Sequence, residues 1–483
     1  MRVSQKFNLG LTQAYLDFVD IDLDTDLEVF IDPVVLRDLE SPWGRACASL
    51  VQQYFETVLE YIKEGKHDNA KILLSNLKEK NEFHIGFSKG KSRGSAFGEK
   101  SAELIWGELC QSKAAHTGLL KDLEDTCLLI SGIGRDMISD AVCNIIRSKL
   151  IEYTQDMCRY YNIPMTQNVN SGPIWEPATK KWITRPEELP LADGNIFLLI
   201  PKNIVRRMIS YDYKEYYRHY ILEEIQNEHL KRQSPLVYHL KNGEPRVDKT
   251  DLIAELGETK QSVIEQTEGR EHIWKKYKDD KEKKFKPPLS NEQFSEIQHL
   301  PEIDWDEMIN ELRALPKGND YADPYEKLIE KILTALFYPN LNYPQKQSKI
   351  HEGRKRIDIQ YNNEAKDGFF YWLGFHYPSS CIFIECKNYS ARIKNPEFDQ
   401  LAGRFSPRRG KVGFLIYRDS TNPTLIDQTC KDTANDERGY ILALSDNDII
   451  QLIEDYRQAS PFNGGVDRNR YPFLDKKFKA LLN

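Results

Sequence analysis

Apolar residues recur at helical spacing in three stretches of the first half of the chain. Cys47 to Ile62, Met137 to Tyr153 and Ile204 to Ile225 are therefore expected to be amphipathic helices. Val19 to Asp32 (VDIDLDTDLEVFID) instead alternates apolar and acidic residues, the period of a strand with one acidic face. Such a face either collects a divalent cation or lies against solvent or a partner. The stretch lacks the turns and glycine of a calcium loop, which favours the second. Further along, Asp323-Pro324 reads as an N-cap and first helical residue, followed by Leu328, Ile329, Ile332, Leu333 and Leu336 on one face. Glu326, three residues after Asp323, has the spacing of a capping-box partner. Arg356 to Tyr361 (RIDIQY) and Cys381 to Tyr389 (CIFIECKNY) alternate as strands, with an extra hairpin expected between them from Phe369 to Tyr377. Asn395-Pro396 starts a helix to about Phe405, Lys411 to Arg418 (KVGFLIYR) reads as a buried parallel strand, and a final helix from Asn447 to Tyr456 covers the sheet.

A boundary falls near residue 300. Lys275 to Lys286 (KKYKDDKEKKFK) is almost wholly charged, and Pro287-Pro288 ends the helix, expected over 260–286, that carries it. A solvated helix end explains the run better than a backbone-binding site for DNA. Residues 1–300 read as a larger, mostly helical α+β region that senses, recognises or binds a partner. Residues 301–483 read as an α/β domain, a mixed sheet flanked by helices. Strand, helix and strand make a crossover unit, expected to be right-handed.

The composition, 40% hydrophobic and 29% charged over 483 residues, is that of a soluble globular protein. No apolar run reaches the roughly 18–20 residues of a membrane span, so no membrane partner is expected. The opening MRVSQKFNLG has no hydrophobic signal region, and the eight cysteines form no C-x-x-C pair. Both point to a reducing cytoplasm. A net charge of -7 at first speaks against nucleic acid, but the signs are segregated: Asp17 to Asp38 is acidic, whereas Arg354 to Arg356 and Arg404 to Lys411 are basic. Two glycine-bearing loops add little. Gly86 to Gly98 (GFSKGKSRGSAFG) has Ile85 where a P-loop needs its first glycine, and is either a phosphate cradle or an exposed loop. Ser131 to Asp140 (SGIGRDMISD) resembles the hairpin of helix-hairpin-helix modules, though such turns before helices are common.

The chemistry concentrates in the strands. Glu385 and Lys387 share one strand face about 6–7 Å apart, and Asp358 joins them if the two strands pair. Two carboxylates hold a magnesium ion that polarises a phosphodiester and lowers the pKa of its bound water; a lysine beside them orients that water or offsets developing charge. Alone, Glu385 and Lys387 are equally well a cross-strand ion pair on a solvated face. Gln400 and Arg404, at i and i+4 on the next helix, fall on a single face.

In this order, residues 321 to about 456 resemble the PD-(D/E)xK (restriction-endonuclease-like) nuclease superfamily, particularly its Mrr-type branch. Tyr325-Glu326 is similar to that family's opening helix and its acidic residue, Asp358 to its metal-binding aspartate, Glu385-Cys386-Lys387 to the (D/E)-x-K signature, and Gln400 to the glutamine of the following helix. The family's proline before the aspartate is Ile357 here. The resemblance implies an endonuclease using Mg2+, or Mn2+ in its place, with Asp358, Glu385, the Cys386 carbonyl and Glu326 as ligands and Lys387 at the nucleophile. It implies DNA as partner, with Arg354, Arg356, Arg404, Arg408 and Arg409 along the backbone, a homodimer or higher oligomer for two-strand cleavage, and a defence-system partner protein in bacterial restriction or anti-phage defence. An inactive nuclease-fold DNA-binding or scaffold protein, and a nuclease acting on RNA or branched DNA, are the alternatives.

Overall fold

The computed structural model describes residues 1–77, 80–86, 107–110, 112, 115–116, 119–283, 287–346, 359–389, 393, 395–418, 422–459 and 471–482. It is a mixed α/β protein. Most of the sequence-derived elements up to residue 300 are present with altered limits. The first predicted helix spans Pro42–Lys63, with Ser41 accepting from the Gly44 amide as N-cap. The second is two helices, Arg135–Ile145 and Arg147–Tyr161, meeting at Ile146; both bury their apolar faces, so the periodicity runs on across the joint. The third begins later than its apolar pattern suggests. Val205–Arg206 is a short strand paired with Phe30–Ile31, and the helical run starts at Tyr213, behind the Asp212 cap, with a π-helical turn at Tyr217–Ile221.

Burial of charge alters two expectations. Val19 to Asp32 is not a strand with an acidic solvated face: only Phe30–Ile31 is strand, and Asp20 and Asp32 are buried. Asp20 accepts from the Ser4 amide and hydroxyl, and Asp32 caps Pro33–Asp38 while accepting from the Ser210 amide at 2.7 Å. These carboxylates are fastened to donors of the chain itself, which is what their burial demands. The charged run is solvated only in part: Lys275, Lys276 and Lys283 are exposed, Tyr277 and Lys281 are buried, and residues 284–286 lie outside the described residues. The helix Glu271–Lys283 is separate from Lys260–Thr267, and its Lys278 bonds Asp122 and Asp125 while Lys281 pairs with Glu215. In the Ser131 to Asp140 turn, the Ile130 and Ile133 carbonyls accept from Lys260 Nζ and Arg135 pairs with Asp212. Of the loop Gly86 to Gly98, only Gly86 lies within the described residues.

The later part is built on one five-stranded sheet in the order β1 (Leu341–Gln345), β2 (Ile359–Asn363), β3 (Cys381–Lys387), β4 (Val412–Tyr417), β5 (Tyr440–Ser445). Strand β2 runs antiparallel to both its neighbours, β1 and β3, whereas β3, β4 and β5 run parallel. The two motif strands pair, with Ile359 opposite Ile384; residues 356–358 of the first lie outside the described residues. One face carries Ile382, Ile384 and Phe414; it is covered by α1 (Ala322–Phe337) and α2 (Gly368–His376), through rings such as Phe337 and Phe370 against Phe414. The other carries Phe383, Glu385 and Gly413, under α3 (Asn395–Ala402) and the turn after it. A Cβ on Gly413 would meet Leu401 and Phe405 at 3.1 Å. Helix α4 (Pro423–Asn435), capped by Asn422, packs beside β5. Helices α5 (Asp446–Gln458) and α6 (Pro472–Leu481) complete the layer.

The expected hairpin Phe369 to Tyr377 is the helix α2 instead. Its buried residues Phe369, Phe370 and Leu373 follow helical spacing, while Tyr371 and Phe375 are exposed. An aromatic run of this length satisfies either pattern until a partner surface selects one. Helix α1 starts at Ala322, so Asp323 and Pro324 lie inside its first turn and no capping box forms at Glu326. Helix α3 ends at Ala402, so Arg404 lies beyond it.

Two apolar cores lie on either side of residue 300 and interlock. Ala14 and Tyr15 pack into the later core with Trp305, Met308 and Leu312, while Tyr338 belongs to the earlier one. Polar bonds cross the same boundary: Tyr343 N to Asp17 Oδ1 at 2.8 Å, Asn291 Nδ2 to the Ala335 carbonyl at 3.0 Å, Tyr160 to Glu330, and Asn203 to Glu364.

Two outcomes follow. Truncating fully buried Phe370 to alanine lowers unfolding free energy by about 3–5 kcal/mol in urea titrations, whereas Phe375→Ser changes it by less than about 0.5 kcal/mol. Desolvation pushes Glu364 up to about 7, with the Asp17 charge adding and Ser41, Lys366 and Asn203 opposing. A carboxyl raised in the folded state binds more protons than in the unfolded chain, so it costs stability as pH climbs from about 4.5 to about 7. Thermal melts of Glu364→Gln should gain on the wild type across that window and hold a constant difference above it.

Candidate active site

The middle strand of the sheet carries the motif. Glu385 and Lys387 stand on one face of β3 at its C-terminal end, the edge at which the parallel strands β3, β4 and β5 all finish. Ligands of open α/β sheets gather at such edges. Glu385 is 1% exposed. One carboxylate oxygen, Oε1, accepts from Lys387 Nζ at 2.6 Å; the other, Oε2, accepts from Arg404 Nη1. The two residues thus form a buried ion pair along one strand, not a cross-strand pair on a solvated face.

Arg404 is the main correction among the sequence-derived DNA contacts. It is 3% exposed, its guanidinium faces Glu385, and its carbonyl accepts from Arg409 Nη2 at 3.2 Å. Nearby positive charge offsets the burial of this carboxylate, from Lys387 on the same strand and from Arg404 in the turn after α3. Arg408 is exposed and Arg409 half-buried, so both keep access to a ligand. Asp358, Arg354 and Arg356 lie outside the described residues. Gln400 is half-buried on α3, and Cys386 points to the opposite face from Glu385.

Glu326 sits in the first turns of α1, half-buried, with no capping role. Desolvation raises its pKa, and the charges of Glu330, Asp323 and Glu385 push it further while Lys346 opposes them. The start of α1 is itself anchored. Tyr325 is buried and donates to Asp446 Oδ1 at 2.8 Å, and Arg418 binds the other Asp446 oxygen at 2.8 Å while stacking on the Tyr325 ring. Asn388, one residue past β3, donates to the Pro316 and Gly318 carbonyls, and Gly318 N donates back to its carbonyl at 2.8 Å. Arg418, Asp446 and Asn388 are positioning residues that the sequence reading did not identify. All three lie within two residues of a strand end, which is the signal available for finding them.

Among the described residues, no group of three or more His, Cys, Asp or Glu side chains is arranged to hold a metal ion. Glu385 and Glu326 are hard oxygen donors, the class a magnesium ion takes. Removing the Tyr325 hydroxyl with Tyr325→Phe leaves a buried Asp446 oxygen without its donor; a stability loss of about 1–3 kcal/mol in urea titrations is expected.

Comparison with known proteins reaches only the earlier part of the chain. Residues 8–212 match a family model described as a domain of unknown function (DUF8370), and that stretch ends where the helical run from Tyr213 begins. No curated protein and no solved structure matches the chain. No helix among the described residues is long and apolar enough to cross a membrane.

Proposed function

We propose that the chain is a magnesium-dependent endonuclease hydrolysing phosphodiester bonds of DNA, in bacterial restriction or anti-phage defence, with its active site at the C-terminal end of β3. The observation that carries this reading is the placement of Glu385 and Lys387. Both sit on one face of the central strand of a helix-flanked mixed sheet, at the end where the parallel strands finish. The resemblance to the PD-(D/E)xK superfamily supplies Asp358 and the Cys386 carbonyl as further ligands and Gln400 as a companion on α3.

When bound, magnesium supplies Lewis acidity and a water of lowered pKa. Glu385 and Glu326 would hold it. Lys387, already within 2.6 Å of Glu385, presents an ammonium beside the reacting phosphate, where it orients the attacking water and offsets charge on the pentavalent state. The burial of Glu385 keeps bulk water from its carboxylate, which strengthens each of these interactions. Arg408 is exposed to receive the sugar-phosphate backbone, and residues 1–300 sense or recruit.

A second reading, a DNA-binding or scaffold module without cleavage, draws on one observation: both Glu385 oxygens are already engaged by cationic side chains. One assay separates the two. Supercoiled, linear and single-stranded DNA, branched junctions and RNA are incubated with the protein, with and without magnesium. Nicking of DNA that needs magnesium and falls about a hundredfold or more in Glu385→Ala, Lys387→Ala and Asp358→Ala is expected. Cleavage unaltered in all three would remove the site assignment. Binding that persists in chelator with no cleavage of any substrate would favour the second reading.

A further inference from the structure

The neutralisation of Glu385 has a consequence for how the site fills. Its carboxylate is 1% exposed, and two cationic groups share its oxygens: Lys387 on Oε1 at 2.6 Å and Arg404 on Oε2. Lys387 is fixed by its place on β3. Arg404 is not on the sheet. It lies past the end of α3, between Gly403 and Phe405, with its carbonyl held by Arg409 Nη2 at 3.2 Å. The guanidinium is thus brought to Glu385 by a turn outside the sheet, on a long side chain with several rotatable bonds.

We infer that Arg404 is an internal competitor for the metal: its guanidinium holds the carboxylate oxygen that a divalent cation would take, and the cation binds only as Arg404 swings out. This rests on the reading of Glu385 as a metal ligand and adds a gate to it. The physical ground is charge. A divalent cation on Glu385 beside a buried guanidinium places like charges together in a region of low polarisability, where repulsion is weakly screened. Either the ion or Arg404 occupies Oε2. The gate also answers what keeps a nuclease with a complete motif from binding metal indiscriminately, since affinity is reduced by the cost of moving Arg404.

The test is calorimetric titration of Mn2+ into the full chain, without nucleic acid, for the wild type, Arg404→Gln, Arg404→Lys and Glu385→Gln. Arg404→Gln is expected to bind Mn2+ about tenfold or more tightly than the wild type, Arg404→Lys close to it, and Glu385→Gln not measurably. Equal or weaker binding by Arg404→Gln, with binding lost in Glu385→Gln, would overturn the gate and leave the nuclease reading standing. No Mn2+ bound by any variant, or undiminished binding by Glu385→Gln, would overturn both. Because Arg404→Gln removes one partner of a buried pair, a wild-type measurement stands beside it: arginine side-chain nitrogen resonances followed during Mg2+ titration, with Arg404 assigned from its loss in Arg404→Lys. Its resonance should shift as the metal saturates; a signal that stays in place would also overturn the gate.

Discussion

A carboxylate in the middle of a sheet must be neutralised, and much of the later part of the chain is arranged around doing so for Glu385. The strand that carries it is central, so it cannot reach water; the turn after α3 must bring Arg404 to it, and Lys387 must stay on its face. That requirement sets the path of residues 403–410. Gly410, at φ +126°, approaches the β3 backbone so closely that a Cβ would stand 2.6 Å from the Cys381 carbonyl, and the Arg409 carbonyl accepts from the Cys381 amide at 3.0 Å. The basic loop is thus bolted to the start of the strand whose far end it neutralises.

The same economy recurs elsewhere. Asp20 and Asp32 are buried against hydroxyls and amides, Arg418 and Asp446 against Tyr325, and Lys278 between Asp122 and Asp125. Replacing such pairs by apolar residues need not lower stability, but removing one partner does. They therefore fix which elements lie together more than they add to the free energy of folding. Helix α1 illustrates it: the Tyr325 cluster anchors its beginning, the Glu330–Tyr160 bond its middle and the Asn291–Ala335 bond its end, so Glu326 is presented from a helix held at three points.

What the sequence disclosed follows from how local each signal is. The β4 strand was legible because KVGFLIYR is apolar without interruption, and the β2–β3 pairing because both stretches alternate. Strand β5 and helices α4 and α6 went unread although Asn422-Pro423 and Pro472 mark two helix starts. The aromatic run 369–376 was misassigned because its period is ambiguous without the surface of β2 and α6 against which it packs. Within the site, Glu385 and Lys387 were visible as a pair two residues apart, whereas the Arg404 contact spans 19 positions and leaves no periodicity. The acidic stretch near the start misled for the related reason that burial of Asp20 and Asp32 depends on Ser4 and Ser210, distant in sequence.

Tyr15 and Tyr338 trade places between the two cores, and this bears on whether the halves are separable. A fragment starting at residue 301 would lose Ala14 and Tyr15 from its core and leave Tyr338 without the Lys202 ammonium, which lies 4.0 Å from its ring. Apolar surface around Met308 and Leu312 would then face water, and Lys331 would lose the ring it covers. The two parts are dovetailed like joinery, so anything that loosens the first 20 residues also loosens the floor beneath α1.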